Sequence, residues 1–101
     1  MDADYQPFLK QAVDLERKFH DVLDQPNDPM AVRLRNEAQG LVNDAKTKRN
    51  PRDLENRIRT IQQELKEVRA QGGQAMDTPN CDMFYQMYEH MRVNLHNFQN
   101  Y

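Results

Sequence analysis

Serine is absent from this chain of 101 residues, and cysteine occurs once, as Cys81. The first absence removes serine nucleophiles. The second rules out an intramolecular disulfide, and with it the stapled secreted scaffolds. Glycine is nearly as sparse, with three residues. Gly72-Gly73 has neither the strand nor the spacing of a phosphate-binding loop. No apolar run approaches the roughly 20 residues of a membrane span. The opening Met1-Asp2-Ala3-Asp4-Tyr5 is acidic and lacks an apolar segment, unlike a signal or transit peptide. Asp2 stands where a myristoylated glycine would be, and no C-terminal lipidation box follows. The expectation is a cytoplasmic protein with no membrane attachment.

Net charge is small as well, at −2, so the chain as a whole has little pull on nucleic acid or anionic lipid. The charge is uneven. Residues 1–28 hold seven acids and three bases, residues 29–75 ten bases and six acids, and residues 76–101 three acids and one base. In an antiparallel bundle these segments neutralise one another along helix rims. The length fits one domain over residues 1–101.

What is present is punctuation and phase. Asp28-Pro29 and Asn50-Pro51 each place a capping side chain before a proline at the first helical position. Gly72-Gly73 ends a helix and Thr78-Pro79 starts the last one. The expected helices are 5–24, 29–49, 51–71 and 79–98, each about 30 Å long. Apolar residues recur at steps of three and four. The first stripe is Tyr5, Phe8, Ala12, Leu15, Phe19 and Val22; the second is Ala31, Leu34, Ala38, Leu41 and Ala45. The third is Leu54, Ile58, Ile61, Leu65 and Val68; the fourth is Cys81, Phe84, Tyr88, Met91, Leu95 and Phe98. The fold class expected is all-α, an antiparallel four-helix bundle running up-down-up-down.

A continuous second and third helix would put Ala45 and Leu54 about 900° apart, half a turn out of phase. A reversal at Asn50 lets both stripes face one core. Pro26-Asn27-Asp28-Pro29, between two amphipathic helices, resembles the hairpin turn of type III secretion needle subunits. The resemblance covers four residues and implies nothing about function. Lys10–Asp14, Asp14–Lys18, Arg17–Asp21, Arg33–Glu37, Asp53–Arg57 and Glu55–Arg59 are spaced four apart, as on solvated helix faces.

Site chemistry is thin. Glu16 and Glu89 are followed three residues later by Phe19 and Arg92, so the Glu-x-x-His pairs of a di-iron bundle are missing. His90 and His96 diverge by about 120° on a helix and do not share a metal. Met83, Met87 and Met91 form a column with Cys81 a turn away; thioethers there suit soft Cu(I), but methionine more commonly fills core gaps. No metal or cofactor is expected. Cys81 near a helix start suggests a reactive thiol, yet its core phase and the neighbouring Asp77 and Asp82 argue for a structural one. The carboxylates read as scattered over wet faces, with no converging catalytic set, so the chain is not expected to be an enzyme.

Two surfaces remain. Met83, Met87 and Tyr85 suggest a plastic, Met-rich face for a protein partner or a second copy of the chain. Leu9, Leu23, Met30 and Val42 are further apolar residues outside the seams, available either to widen the core or to extend a patch. Lys46, Lys48, Arg49 and Arg52 cluster at the tip between the second and third helices, where they could meet phosphates. Cations in a helix's last turn also complement its dipole, and no stacking platform accompanies these. The sequence therefore points to a small protein-interaction module (adaptor, accessory subunit or regulator). Nucleic-acid binding through the basic tip is the alternative.

Overall fold

Two side-chain caps set the start of the interior helices. Asp28 accepts a hydrogen bond from the Met30 amide at 2.8 Å, and Asn50 accepts one from the Arg52 amide at 2.9 Å. In each case proline occupies the first helical turn, where its missing N–H costs nothing. In a computed structural model the helices are α1 (Asp2–Val22), α2 (Pro29–Lys46), α3 (Pro51–Ala70) and α4 (Thr78–Gln99). The structure describes residues 2–23, 26–47, 50–72 and 75–99.

The boundaries depart from the sequence expectation by one to three residues. α1 begins at Asp2, three residues early, and carries Pro7 inside it. That proline removes one intrahelical hydrogen bond. α2 stops at Lys46 with Thr47 as its C-cap, three residues short of the expected end. α3 stops at Ala70, and Gly72 supplies the left-handed residue beyond it at φ 79°. α4 is capped by Asp77, not Thr78: its carboxylate accepts from the Asn80 amide at 2.9 Å, and its carbonyl from Cys81 at 3.0 Å.

The helices form a ring in chain order. α1 packs against α2 and α4, α3 packs against α2 and α4, and among the described residues the backbones of the diagonal pairs stay apart. Early positions of one helix meet late positions of the next: Tyr5 meets Ala45, Arg33 meets Glu64, and Glu55 meets His96. The chain doubles back between α2 and α3, where Arg57 pairs with Asp44. α3 and α4 pack most extensively and α2 and α3 least.

The seam residues converge on one buried cluster. All those expected from α2 and α3 are buried, as are Tyr5 to Phe19 of the α1 stripe and Cys81 to Leu95 of the α4 stripe. Val22 and Phe98 are only half-buried; Leu23 takes the place of Val22 in the core. Val42 is buried, and Met76 folds in from the α3–α4 connection. Alanines line α2, so the bulk comes from the other side. Phe19 and Phe84 stack with centroids 3.8 Å apart, and Tyr88 tilts against Phe19 at 6.3 Å. Among the described residues Val93 is the one large hydrophobic side chain classed as exposed.

Candidate functional site

A groove of about 250 Å³ opens between α3 and α4, lined by Leu65, Lys66, Arg69, Cys81, Asp82 and Tyr85. Helical spacing builds it. Leu65 and Arg69 lie one turn apart on α3, and Cys81 and Tyr85 one turn apart on α4. Leu65 and Cys81 belong to the core and form the floor. Tyr85 is a half-buried wall, with the Lys66 ammonium 5.5 Å from its ring centroid. Across the rim, Arg69 Nε donates to Asp82 at 2.8 Å, both side chains being more than half exposed. Such a pair contributes little and can be rearranged by a ligand.

Cys81 is 1% exposed, and its thiol donates to the Met76 carbonyl at 3.5 Å. Burial pushes its pKa up, and the neighbouring Asp82 and Asp77 push it further. The thiol is an inert piece of the floor rather than an activated nucleophile.

Met83, Met87 and Tyr85 do not share one face. Tyr85 flanks the seam on the α3 side. Met87 flanks it on the α1 side, in a hollow of about 130 Å³ with Gln11, Asp14 and His90. Met83 lies about 40° from Met87 on the helix and about 160° from Tyr85. All three are half-buried against the core, while Met91 is fully buried in it. The proposed Met-rich face is thus split by the α4 seam itself. Leu9 and Met30 are also half-buried against the core.

At the basic tip Lys46 and Arg52 are exposed; Lys48 and Arg49 lie outside the described residues. Lys46 falls within the last turn of α2, where its charge complements the helix dipole. The histidines are spread out. His20 lies 3.8 Å from Glu16, His96 lies 3.7 Å from Glu55 across α3 and α4, and His90 lines the α1–α4 hollow. Among the described residues no three His, Cys, Asp or Glu side chains come together as a metal site.

The carboxylates correct the expectation most. Glu37 is half-buried, and Glu55 and Glu64 are buried. Glu55 sits between Arg59, Arg92 and His96 at 3.4 to 3.7 Å. Beside it Arg92 makes two hydrogen bonds to Glu89, and these, with one from Gln62, hold the Glu89 carboxyl down at about 2. On the opposite side of α3, Arg33 reaches Glu64 at 2.9 Å and Glu37 at 3.7 Å. Arg57 pairs with Asp44 rather than with Asp53 on its own helix. Arg33, Glu37, Gly40 and Asp44 follow the same four-three-four spacing as the apolar stripe, one residue out of phase. Gly40 within that run is the signal: a Cβ there would come within 2.7 Å of the Arg57 guanidinium.

No family model, curated protein or solved structure matches the chain.

No helix among the described residues is long and apolar enough to cross a membrane.

Proposed function

We propose that the chain is a small non-enzymatic module that binds a protein partner through the α3–α4 groove. The observation that carries this reading is the layout of that groove: an apolar floor at Leu65 and Cys81, an aromatic wall at Tyr85, and a charged rim at Lys66, Arg69 and Asp82. Protein interfaces concentrate their energy in such places, where an apolar anchor is desolvated inside a polar ring. Nearly all other large apolar side chains are tucked against the core, which leaves Met83 and Met87 as a minor second flank. Residence in the cytoplasm belongs to the same proposal, since a lone buried thiol suits a reducing compartment.

A photoreactive phenylalanine analogue in place of Lys66, on the groove rim, tests the reading in extract of the source cells. The control carries the same group in place of Asn36, exposed on α2. A discrete adduct at Lys66 alone, abolished by Tyr85→Ala, is the expected result. An adduct of twice the chain's mass identifies the partner as a second copy. No adduct, or equal labelling at both positions, removes the groove as a docking surface.

A further inference from the structure

Three oxygens inside the bundle have no hydrogen-bond partner among the described residues: Glu37 Oε1 on α2, Glu64 Oε2 on α3 and the Tyr88 hydroxyl on α4. Each of the three helices contributes one. The carboxyls of Glu37 and Glu64 face each other, and Tyr88, with no exposed surface, feels both. Two carboxylates in contact repel, and neither has a proton to donate. One proton between them turns that repulsion into a hydrogen bond.

Charge counting gives the same answer. Along the α2–α3 seam the guanidiniums of Arg33 and Arg57 face the carboxyls of Glu37, Asp44 and Glu64, and one further cation and one further anion, Arg59 and Glu67, line the hollow beside Arg33 and Glu64. Asp44 is matched by Arg57 and Glu64 by Arg33, so Glu37 is the surplus anion. From α4 the facing titratable group is Tyr88, kept neutral because burial pushes its pKa well up. On α1, Lys10, Asp14, Arg17, Lys18 and Asp21 are exposed, and Glu16 sits beside His20. We propose that Glu37 and Glu64 hold a single proton between their carboxyls, and that this proton closes the α2–α3 seam. Its loss leaves two adjacent anions, one buried and one half-buried, pushing apart the least extensively packed pair of helices in the ring.

The direction of the pH dependence follows. Burial first, then the Glu64 carboxyl, raise Glu37 from 4.5 to about 7, against the opposing pull of Arg33 and Arg57. A carboxyl whose pKa is raised by folding stabilises the fold below its unfolded value, and that contribution drains away as pH rises to the folded value. The seam therefore weakens between 4.5 and about 7 and stays weakened above.

Carbon-13 NMR of glutamate-labelled protein reads the pair directly, with Glu37→Gln and Glu64→Gln used to assign the signals. One carboxyl of the pair is expected to titrate near 7, more than two pH units above the ordinary 4.5. Thermal unfolding supplies the second readout. The melting temperature of Glu37→Gln, whose amide donates where the proton stood, should exceed that of the parent by a margin that grows as pH rises from 4.5 to about 7. Ordinary titration of both carboxyls, or a margin that does not change with pH, overturns the proposal. Should Glu37→Gln fail to fold, titration of the unaltered chain, assigned through Glu64→Gln, still decides it.

Discussion

The Tyr5 hydroxyl donates to the Ala45 carbonyl at 2.6 Å, tying the first residue of the α1 stripe to the last turn of α2. Helix-end carbonyls lack the donor that the next turn would supply. Tyr5 provides one from another helix, in a site 4% exposed. Tyr5→Phe keeps the ring packed against Phe8 and Phe98 but removes the donor. A loss of about 1–2 kcal/mol is expected. Thermal unfolding should record it as a drop of several degrees, at about 4–8 °C per kcal/mol for a domain of this size.

Phe84 answers for the join between α1 and α4. Its ring lies 3.8 Å from that of Phe19 with the planes 7° apart, and both are fully buried. Phe84→Ala should cost about 3–5 kcal/mol, because the alanine-lined α2 offers no side chain able to refill the space. Val93→Thr, at the exposed apolar position, should stay within about 0.5 kcal/mol. Urea unfolding of the two variants side by side tests the contrast.

Gly72 isolates a backbone effect. Its φ of 79° is left-handed, yet a Cβ built there meets nothing within 4 Å. Gly72→Ala should therefore destabilise by about 1 kcal/mol through conformation alone, with no change in packing. Denaturant melts should show a lower midpoint with an unchanged slope.

Cys81 should resist alkylation in the folded protein. Its thiol is buried, and burial together with Asp82 and Asp77 keeps the thiolate scarce at neutral pH. Since the thiolate is the attacking form, labelling by iodoacetamide should accelerate in proportion to the unfolded fraction as urea is added. Fast labelling of the native chain at neutral pH would contradict this.

The basic tip separates the two functional readings. If the chain works through the α3–α4 groove, titration with mixed single- and double-stranded DNA at low salt should be flat. Binding that steepens as salt falls, and that is lost when Lys46, Lys48, Arg49 and Arg52 are replaced together, would favour phosphate recognition instead.

The apolar phase was legible in the sequence because a helix repeats every 3.6 residues and a buried stripe must repeat with it. Caps were legible for a related reason: Asp28 and Asn50 precede prolines, and few backbone geometries suit that pair. The α1 start was placed at Tyr5 because the apolar stripe begins there, whereas the helix extends back to Asp2. The α4 cap was misplaced because Thr78 and Asp77 are both good caps, and which one turns toward the Asn80 amide is set by the connection that buries Met76.

The sequence by itself determined the number of helices, their approximate limits and nearly every core residue, since those depend on local periodicity and chain reversal. Only the tertiary structure decided which polar groups share the interior. Glu37, Glu64 and Tyr88 lie on three different helices, and no spacing along the chain announces their meeting. It also decided that Tyr85 and Met87 look toward different neighbours, α3 and α1. The physical reason is one of range: periodicity is a property of a single helix, whereas a groove or a shared proton depends on how neighbouring helices are rotated against each other.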